Sequence, residues 1–235
     1  MTGKGKLYGV GIGPGDPELM TLRSVNVLKN IRNIVAPVRE EGGESTALGI
    51  VSKATDLEGK NVIKLVFRME GGRKEFEECG RYAASKVIDI LRTGEDVAVI
   101  TLGDPSIYST YMYINDHIES SGFETEVIPG VTSFSAAAAL AKVPLVLGDE
   151  SLAVVPSAYG NRAVEAALNG FDNIVVMKAG KSTEDVADLM SAYGIPEENA
   201  TVVSRAGMEG QYIGPMGKGR EFNYFTTIII RKAIK

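Results

Sequence analysis

Three strand-like segments in the first 130 residues each break off into a loop of small residues. Residues 7–12 pass into GPGDPE, 97–102 into GDPSIYST and 124–128 into PGVTS. The run VAVITL at 97–102 is apolar throughout, the pattern of a strand covered on both faces in the middle of a parallel sheet. Segments of helical spacing alternate with these runs. At 21–30, Thr21 is placed to cap and Leu22, Val25 and Leu28 share a face. At 75–91, Ala83, Val87, Ile90 and Leu91 turn inward, and 107–121 reads as a helix closed by Gly122. With short strands at 33–37 and 61–66, the alternation predicts an N-terminal, mainly parallel α/β sheet flanked by helices.

The rhythm changes after an alanine-rich helix at 131–142. Pro144 and Gly148-Asp149 interrupt, and strands follow at 152–155, 173–177, 201–204 and 224–231. Helices are expected at 162–168 and 183–193, the latter opened by Ser182 with Asp185 three residues on. The final strand carries TTIII, too apolar for an exposed edge. These features predict a second α/β domain with a mixed sheet, and Pro129-Gly130 divides the chain into 1–128 and 129–235. Two such domains packed together would leave a cleft, where ligands bind.

The chain has 235 residues, 44% of them hydrophobic, enough to bury a core without disulfides. Its single cysteine, Cys79, excludes an internal disulfide and a multi-cysteine zinc site, so no metal centre is expected. The N-terminus lacks the pattern of a secretory leader, and no run approaches the roughly 18 apolar residues of a membrane span. A cytoplasmic protein without membrane contact is expected. A net charge of -5 gives no footprint for nucleic acid.

The first loop, GVGIGPGDPE, fails as a dinucleotide fingerprint. Counted from Gly9 the third glycine position is Pro14, and counted from Gly11 it is Asp16. It also lacks the lysine of a phosphate loop, and Asp16 and Glu18 would repel phosphate. One reading is that the glycines serve only a tight turn into a helix. The other follows from the parallel sheet, which brings the carboxyl ends of its strands to one edge, where ligands bind. The three loops would meet there with amides, hydroxyls and a carboxylate but no cation, which suits an adenosyl group better than a pyrophosphate.

GVGIGPGDPELMTL, TLGDPSIYSTY and IPGVTSFSAAAA together resemble the tetrapyrrole (corrin/porphyrin) methylase family, and VVMKAGKS and SRAG extend the resemblance over essentially the whole chain. TLGDPSIYSTY and GVTSFSAAAALAKVPL look most like the group that methylates C20 of precorrin-2 or cobalt-factor II. That group commonly shows Phe-Pro-Met where this chain has Phe67-Arg68-Met69. The resemblance implies a homodimer of two-domain α/β chains with S-adenosylmethionine in the interdomain cleft. It implies cofactor contacts from Pro14, Gly103, Asp104, Tyr108, Thr132, Ser133, Met177, Ala206 and Thr227.

The implied reaction is C-methylation in cobalamin biosynthesis, and the methylated carbon must lose a proton. Asp104, Tyr108, Tyr111 or water are the candidate bases, with Asp104 alternatively capping the turn that follows it. Tyr108 and Tyr111 would share a helical face. The implied substrate is a polycarboxylate. Arg68, Met69, Lys178 and Arg205 are its candidate contacts, and Arg73, Lys74, Arg81 and Lys181 are further cations within range of choice. His117 sits mid-helix beside Asp116, with no nucleophile elbow to serve. Methylation at a different ring carbon, a nucleotide-dependent oxidoreductase and a non-catalytic binding module remain as alternatives.

Overall fold

A computed structural model describes all residues except 1–2, 68–72, 158–161, 218 and 233–235, and the side chain of Arg73. The chain divides into two compact units, Met1–Thr132 and Ser133–Lys235. The division falls after Thr132, at the start of a helix, where the loop signals in the sequence put it after residue 128.

The first unit holds five strands: β1 (Leu7–Gly11), β2 (Asn33–Val38), β3 (Asn61–Val66), β4 (Val97–Thr101) and β5 (Thr125–Ile128). They lie in the order β3-β2-β4-β1-β5, every pairing parallel. β4 is central, and its Val97–Ile100 stretch is buried throughout. The connecting helices are α1 (Leu22–Asn30), α2 (Thr46–Ala54), α3 (Arg73–Leu91) and α4 (Tyr111–Ser120). The connections through α1 and α2 run toward one edge of the sheet and those through α3 and α4 run back. Right-handed crossovers therefore put the two pairs on opposite faces. α3 and α4 pack on each other, and Val87, Leu91, Ile114 and Ile118 share a core with Leu7, Val97 and Val99.

The second unit begins with α5 (Ser133–Ala141). Strands β6 (Leu152–Pro156), β7 (Asn173–Met177), β8 (Ala200–Ser204), β9 (Tyr212–Gly214) and β10 (Thr226–Arg231) follow, with α6 (Arg162–Gly170) and α7 (Thr183–Ala192). The sheet order is β6-β7-β10-β8-β9. β6 and β7 are parallel, whereas β10 runs antiparallel to both neighbours, so the sheet is mixed as expected. β10 occupies the centre, with Ile228, Ile229 and Ile230 fully buried, in keeping with its apolar run.

Four local expectations change. The buried face of α1 is Ser24, Val27 and Leu28, while Leu22 is 84% exposed. The helix is turned by the Ser24 hydroxyl, which donates to the Gly11 carbonyl at 2.7 Å, while Thr21 caps as predicted by accepting from Ser24 N–H. α4 starts at Tyr111 rather than 107, because an Asp104 turn and a left-handed Tyr108 (φ 47) interrupt the chain before it. Ser182 gives α7 no side-chain cap; its hydroxyl reaches the Ser157 carbonyl instead. α2 and β9 went unforeseen, although α2 carries a signal in Ser45, whose hydroxyl accepts from Leu48 N–H.

Candidate active site

β4, β1 and β5 are neighbours, and their carboxyl ends are level: Gly11 pairs with Thr101, and Val10 with Ile128. The three small-residue loops therefore leave one edge of the sheet side by side. Backbone contacts lock them. Ile12 N–H donates to Thr101 O (3.1 Å), Gly103 N–H to Gly13 O (2.8 Å) and Gly13 N–H to Gly103 O (3.3 Å). Gly130 lies so close to this pair that a Cβ on it would overlap the Gly103 carbonyl oxygen. A Cβ on Gly11 would in turn stand 2.7 Å from Gly130 N. Glycine is required at 11 and 130 for backbone approach, a different demand from the left-handed turn at Gly13 (φ 77).

Asp104 ties the second loop to the third. One carboxylate oxygen accepts the Ser106 N–H (2.8 Å) and hydroxyl, and the other accepts Gly130 N–H at 2.9 Å. Partial burial works to raise its pKa, but the Ser106 and Gly130 donors outweigh it and hold the carboxyl below its ordinary value. The alternative reading of Asp104, as a cap on the turn that follows it, agrees with the Ser106 contact. A carboxylate with both oxygens engaged and a lowered pKa is a weak base, and its geometry makes it a clamp between loops. Asp16 likewise accepts from Glu18 N–H at 2.9 Å and caps a 3-10 turn at Pro17–Leu19.

Tyr111 is the most enclosed of the candidate bases. It is 1% exposed in the core of the first unit, and its hydroxyl donates to Asn115 Oδ1 at 3.0 Å. Burial, aided by the charge of Glu119, pushes the phenol up. Its ring fills the space above Gly9, where a Cβ would overlap it, so Gly9 serves packing. Tyr108 does not share a helical face with it: it lies in the loop, 46% exposed, with partial burial raising its phenol pKa. Pro14 and Gly103 are buried in the loop assembly, and Thr132 and Ser133 lie partly buried where the third loop enters α5.

In the second unit, Thr227 pairs with Met177 on one side and Val203 on the other, which puts two sequence-predicted residues in one cross-strand row. Ala206 is buried with Ala137, Ala138, Val203 and Ile229 just beyond β8. Lys178 and Arg205 directly follow β7 and β8, both with left-handed backbones (φ 59 and 56). Arg68 and Met69 lie outside the described residues. Lys74, Arg81 and Lys181 are exposed. The sequence reading missed the parts played by Gly11, Gly130, Ser24 and Ser106, although a glycine within three residues of each of the three strand ends was the available signal.

The donor set at the first unit's edge decides what ligand suits it. Residues 12–21, 102–110 and 129–132 contain Asp16, Glu18 and Asp104 and no Lys or Arg. Backbone amides and hydroxyls can serve the ribose and adenine of an adenosyl group, and the carboxylates suit its cationic amine better than a pyrophosphate. Among the described residues no group of three His, Cys, Asp or Glu is placed to hold a metal, and no helix is long and apolar enough to cross a membrane.

The family model for Tetrapyrrole (Corrin/Porphyrin) Methylases matches residues 6–217, and the chain belongs to that family. It is 33% identical over 234 residues to the "Probable cobalt-precorrin-2 C(20)-methyltransferase" of Methanocaldococcus jannaschii, covering 98% of this chain and 97% of that one. It is 32% identical over 232 residues to the cobalt-precorrin-2 C(20)-methyltransferase of Salmonella typhimurium, covering 97% of each. The solved uroporphyrin-III C-methyl transferase of Thermus thermophilus, complexed with S-adenosylhomocysteine, shares the fold. Its TM-score is 0.68 at 22% identity, over 96% of this chain and 97% of that one.

Proposed function

We propose that this protein transfers a methyl group from S-adenosylmethionine to C20 of precorrin-2 or its cobalt form, in cobalamin biosynthesis. The observation that carries the cofactor class is the cation-free edge built from three interlocked loops. The ring position rests on near full-length similarity to relatives named for C20 methylation. When bound, S-adenosylmethionine supplies an electrophilic methyl on a sulfonium: the macrocycle carbon forms the new C–C bond, the S–CH3 pair stays on sulfur as a neutral thioether, and the carbon sheds a proton.

The residues of this chain contribute alignment. Pro14, Gly103, Thr132 and Ser133 offer backbone and hydroxyl groups from the first edge, with Asp104 holding the loops in register. Met177, Ala206 and Thr227 supply an apolar and hydroxyl surface from the second unit. Alignment of this kind is worth on the order of 7–11 kcal/mol of barrier. Positive charge on sulfur is lost in the transition state, so a carboxylate facing the sulfonium would favour the ground state and slow the reaction. The engagement of Asp104 with Ser106 and Gly130 keeps its charge occupied elsewhere. Tyr108 and water remain as proton acceptors. Lys178 and Arg205, with Arg68 and Met69, are the substrate contacts of this reading. It includes a homodimer in the cytoplasm, which light scattering and cell fractionation would test.

Incubation with S-adenosylmethionine and precorrin-2 or its cobalt form, followed by NMR of the product, tests the proposal. A new methyl at C20 is expected. A methyl at another carbon would reassign the ring position within the family, and no transfer from either macrocycle would overturn the reading.

A further inference from the structure

Four residues other than glycine have left-handed backbones among those described: Tyr108, Lys142, Lys178 and Arg205. Lys142 is accounted for by the end of α5, where Val143 N–H closes back on Ala138 O as helix ends commonly do. Lys178 and Arg205 end no helix. Each is the first residue past a strand, Met177 closing β7 and Ser204 closing β8. Both strands are antiparallel to β10 and flank it, so they run in the same direction and finish at the same edge.

The start of β10 fixes both turns. Ala179 N–H donates to Thr226 O at 3.0 Å on one side, and Arg205 N–H to Phe225 O at 2.8 Å on the other. Two strand spacings, roughly 9–10 Å, separate the two positions across the sheet. The two cations thus leave one sheet edge from either side of a single strand.

Their side chains are held as well as their backbones. Arg205 Nε–H donates to the Glu209 carbonyl, and the side chain passes over Gly210, where a Cβ would stand 3.6 Å from Nε. This pins the guanidinium plane, and among the described residues no acceptor bonds the Nη end. The Lys178 ammonium lies 5.5 Å from the centre of the Tyr224 ring, a cation–π contact that positions the head group itself. Glycine adopts a left-handed backbone without steric cost, so a long cation at such a position persists where its head group contributes something glycine cannot. The chain's net charge of -5 repels a polyanion from a distance, which leaves local cations to receive it.

We propose that Lys178 and Arg205 form a two-pronged anchor for carboxylates of the substrate. Arg205 presents a planar fork for bidentate contact and Lys178 a point charge, and their left-handed backbones set the spacing between them. The proposal rests on the functional reading above, since it takes the substrate to be a polycarboxylate macrocycle. The pair orients the macrocycle and takes no part in bond making.

The test compares Arg205→Gly, Lys178→Gly and Arg205→Lys with the wild type. The glycine variants ease the backbone, so each should melt about 2–4 °C higher. Each should nevertheless raise KM for the macrocycle at least about tenfold, the loss expected for a charged hydrogen bond. The expected kcat and the Kd for S-adenosylmethionine change less than about twofold, and Arg205→Lys restores part of the affinity. An unchanged KM in both glycine variants, or a loss of cofactor binding equal to the loss of substrate binding, would overturn the anchor.

A second measurement separates this proposal from the functional reading. Uroporphyrin, an unreactive polycarboxylate porphyrin, is titrated by fluorescence against wild type and Arg205→Gly in low and high salt. Weaker and less salt-sensitive binding by the variant supports the anchor even where no methyl is transferred. Equal binding by the two proteins counts against it even where methyl transfer is normal.

Discussion

The two sheets present candidate binding edges built on opposite rules. In the first unit, three parallel strands deliver glycine loops that touch backbone to backbone, and the edge works because Gly11 and Gly130 have no side chains. In the second unit, two strands flanking an antiparallel partner deliver Lys178 and Arg205, and the proposed anchor depends on those side chains. The first edge is preorganised by contact, the second by backbone conformation. The contrast shows why left-handed residues cannot be read uniformly. Gly13 and Gly103 take that conformation freely at the first edge, whereas the cations at the second adopt it against their intrinsic preference.

Adding a methyl group to the first edge should give the largest effect. In Gly130→Ala the new Cβ overlaps the Gly103 carbonyl, and backbone cannot yield as a flexible side chain would. The expected outcome is a loss of about 2–3 kcal/mol in stability by denaturant titration, with S-adenosylmethionine affinity down at least about tenfold by calorimetry. The sign is opposite to that expected for Arg205→Gly, and a Gly130→Ala protein with normal stability and affinity would erase the contrast.

An intermediate effect is expected at Asp104, the one carboxylate that joins two loops of the first edge. Asp104→Asn should cost about 1–2 kcal/mol at neutral pH. The folded pKa lies below the ordinary 3.8, so the wild-type carboxylate stabilises fully above that value and loses its contribution as pH falls through the lower folded pKa. The difference in melting temperature between variant and wild type should therefore shrink in acid. A difference that persists unchanged at pH 2 would sharpen the account by moving the stabilisation away from ionisation.

The smallest effect belongs to Tyr111, which supports the first edge from beneath. Tyr111→Phe removes the hydroxyl with its bonds to Asn115 and the Gly9 backbone, and should cost about 1 kcal/mol. Cofactor affinity and kcat should match the wild type, because the ring still fills the space over Gly9. A large fall in kcat with unchanged stability would return Tyr111 to the chemistry.

Much of this was legible along the chain. The alternation of apolar runs with helical spacing fixed the α/β class, the TTIII run placed β10 inside its sheet, and the absence of cations in three loops excluded a phosphate site. The helix boundaries near the loops were less legible. A continuous helical pattern from 107 concealed the break at Tyr108, since periodicity reports spacing and not backbone handedness. The sequence offered Tyr111 as a reactive phenol because residue type carries no information on burial.

What the sequence determined by itself is the alternation of most strands and helices and the placement of charge near the loops, because periodicity, glycine placement and charge are local properties of the chain. Tertiary structure alone decided which glycines are indispensable, that Asp104 spends one oxygen on its own loop and the other on the third, and that Lys178 and Arg205 emerge on either side of one strand. Those facts depend on strand order. Strands distant in sequence become neighbours only through the crossovers of the first sheet and the antiparallel insertion of β10 in the second, and pairing of that kind is settled by the packing of the whole fold.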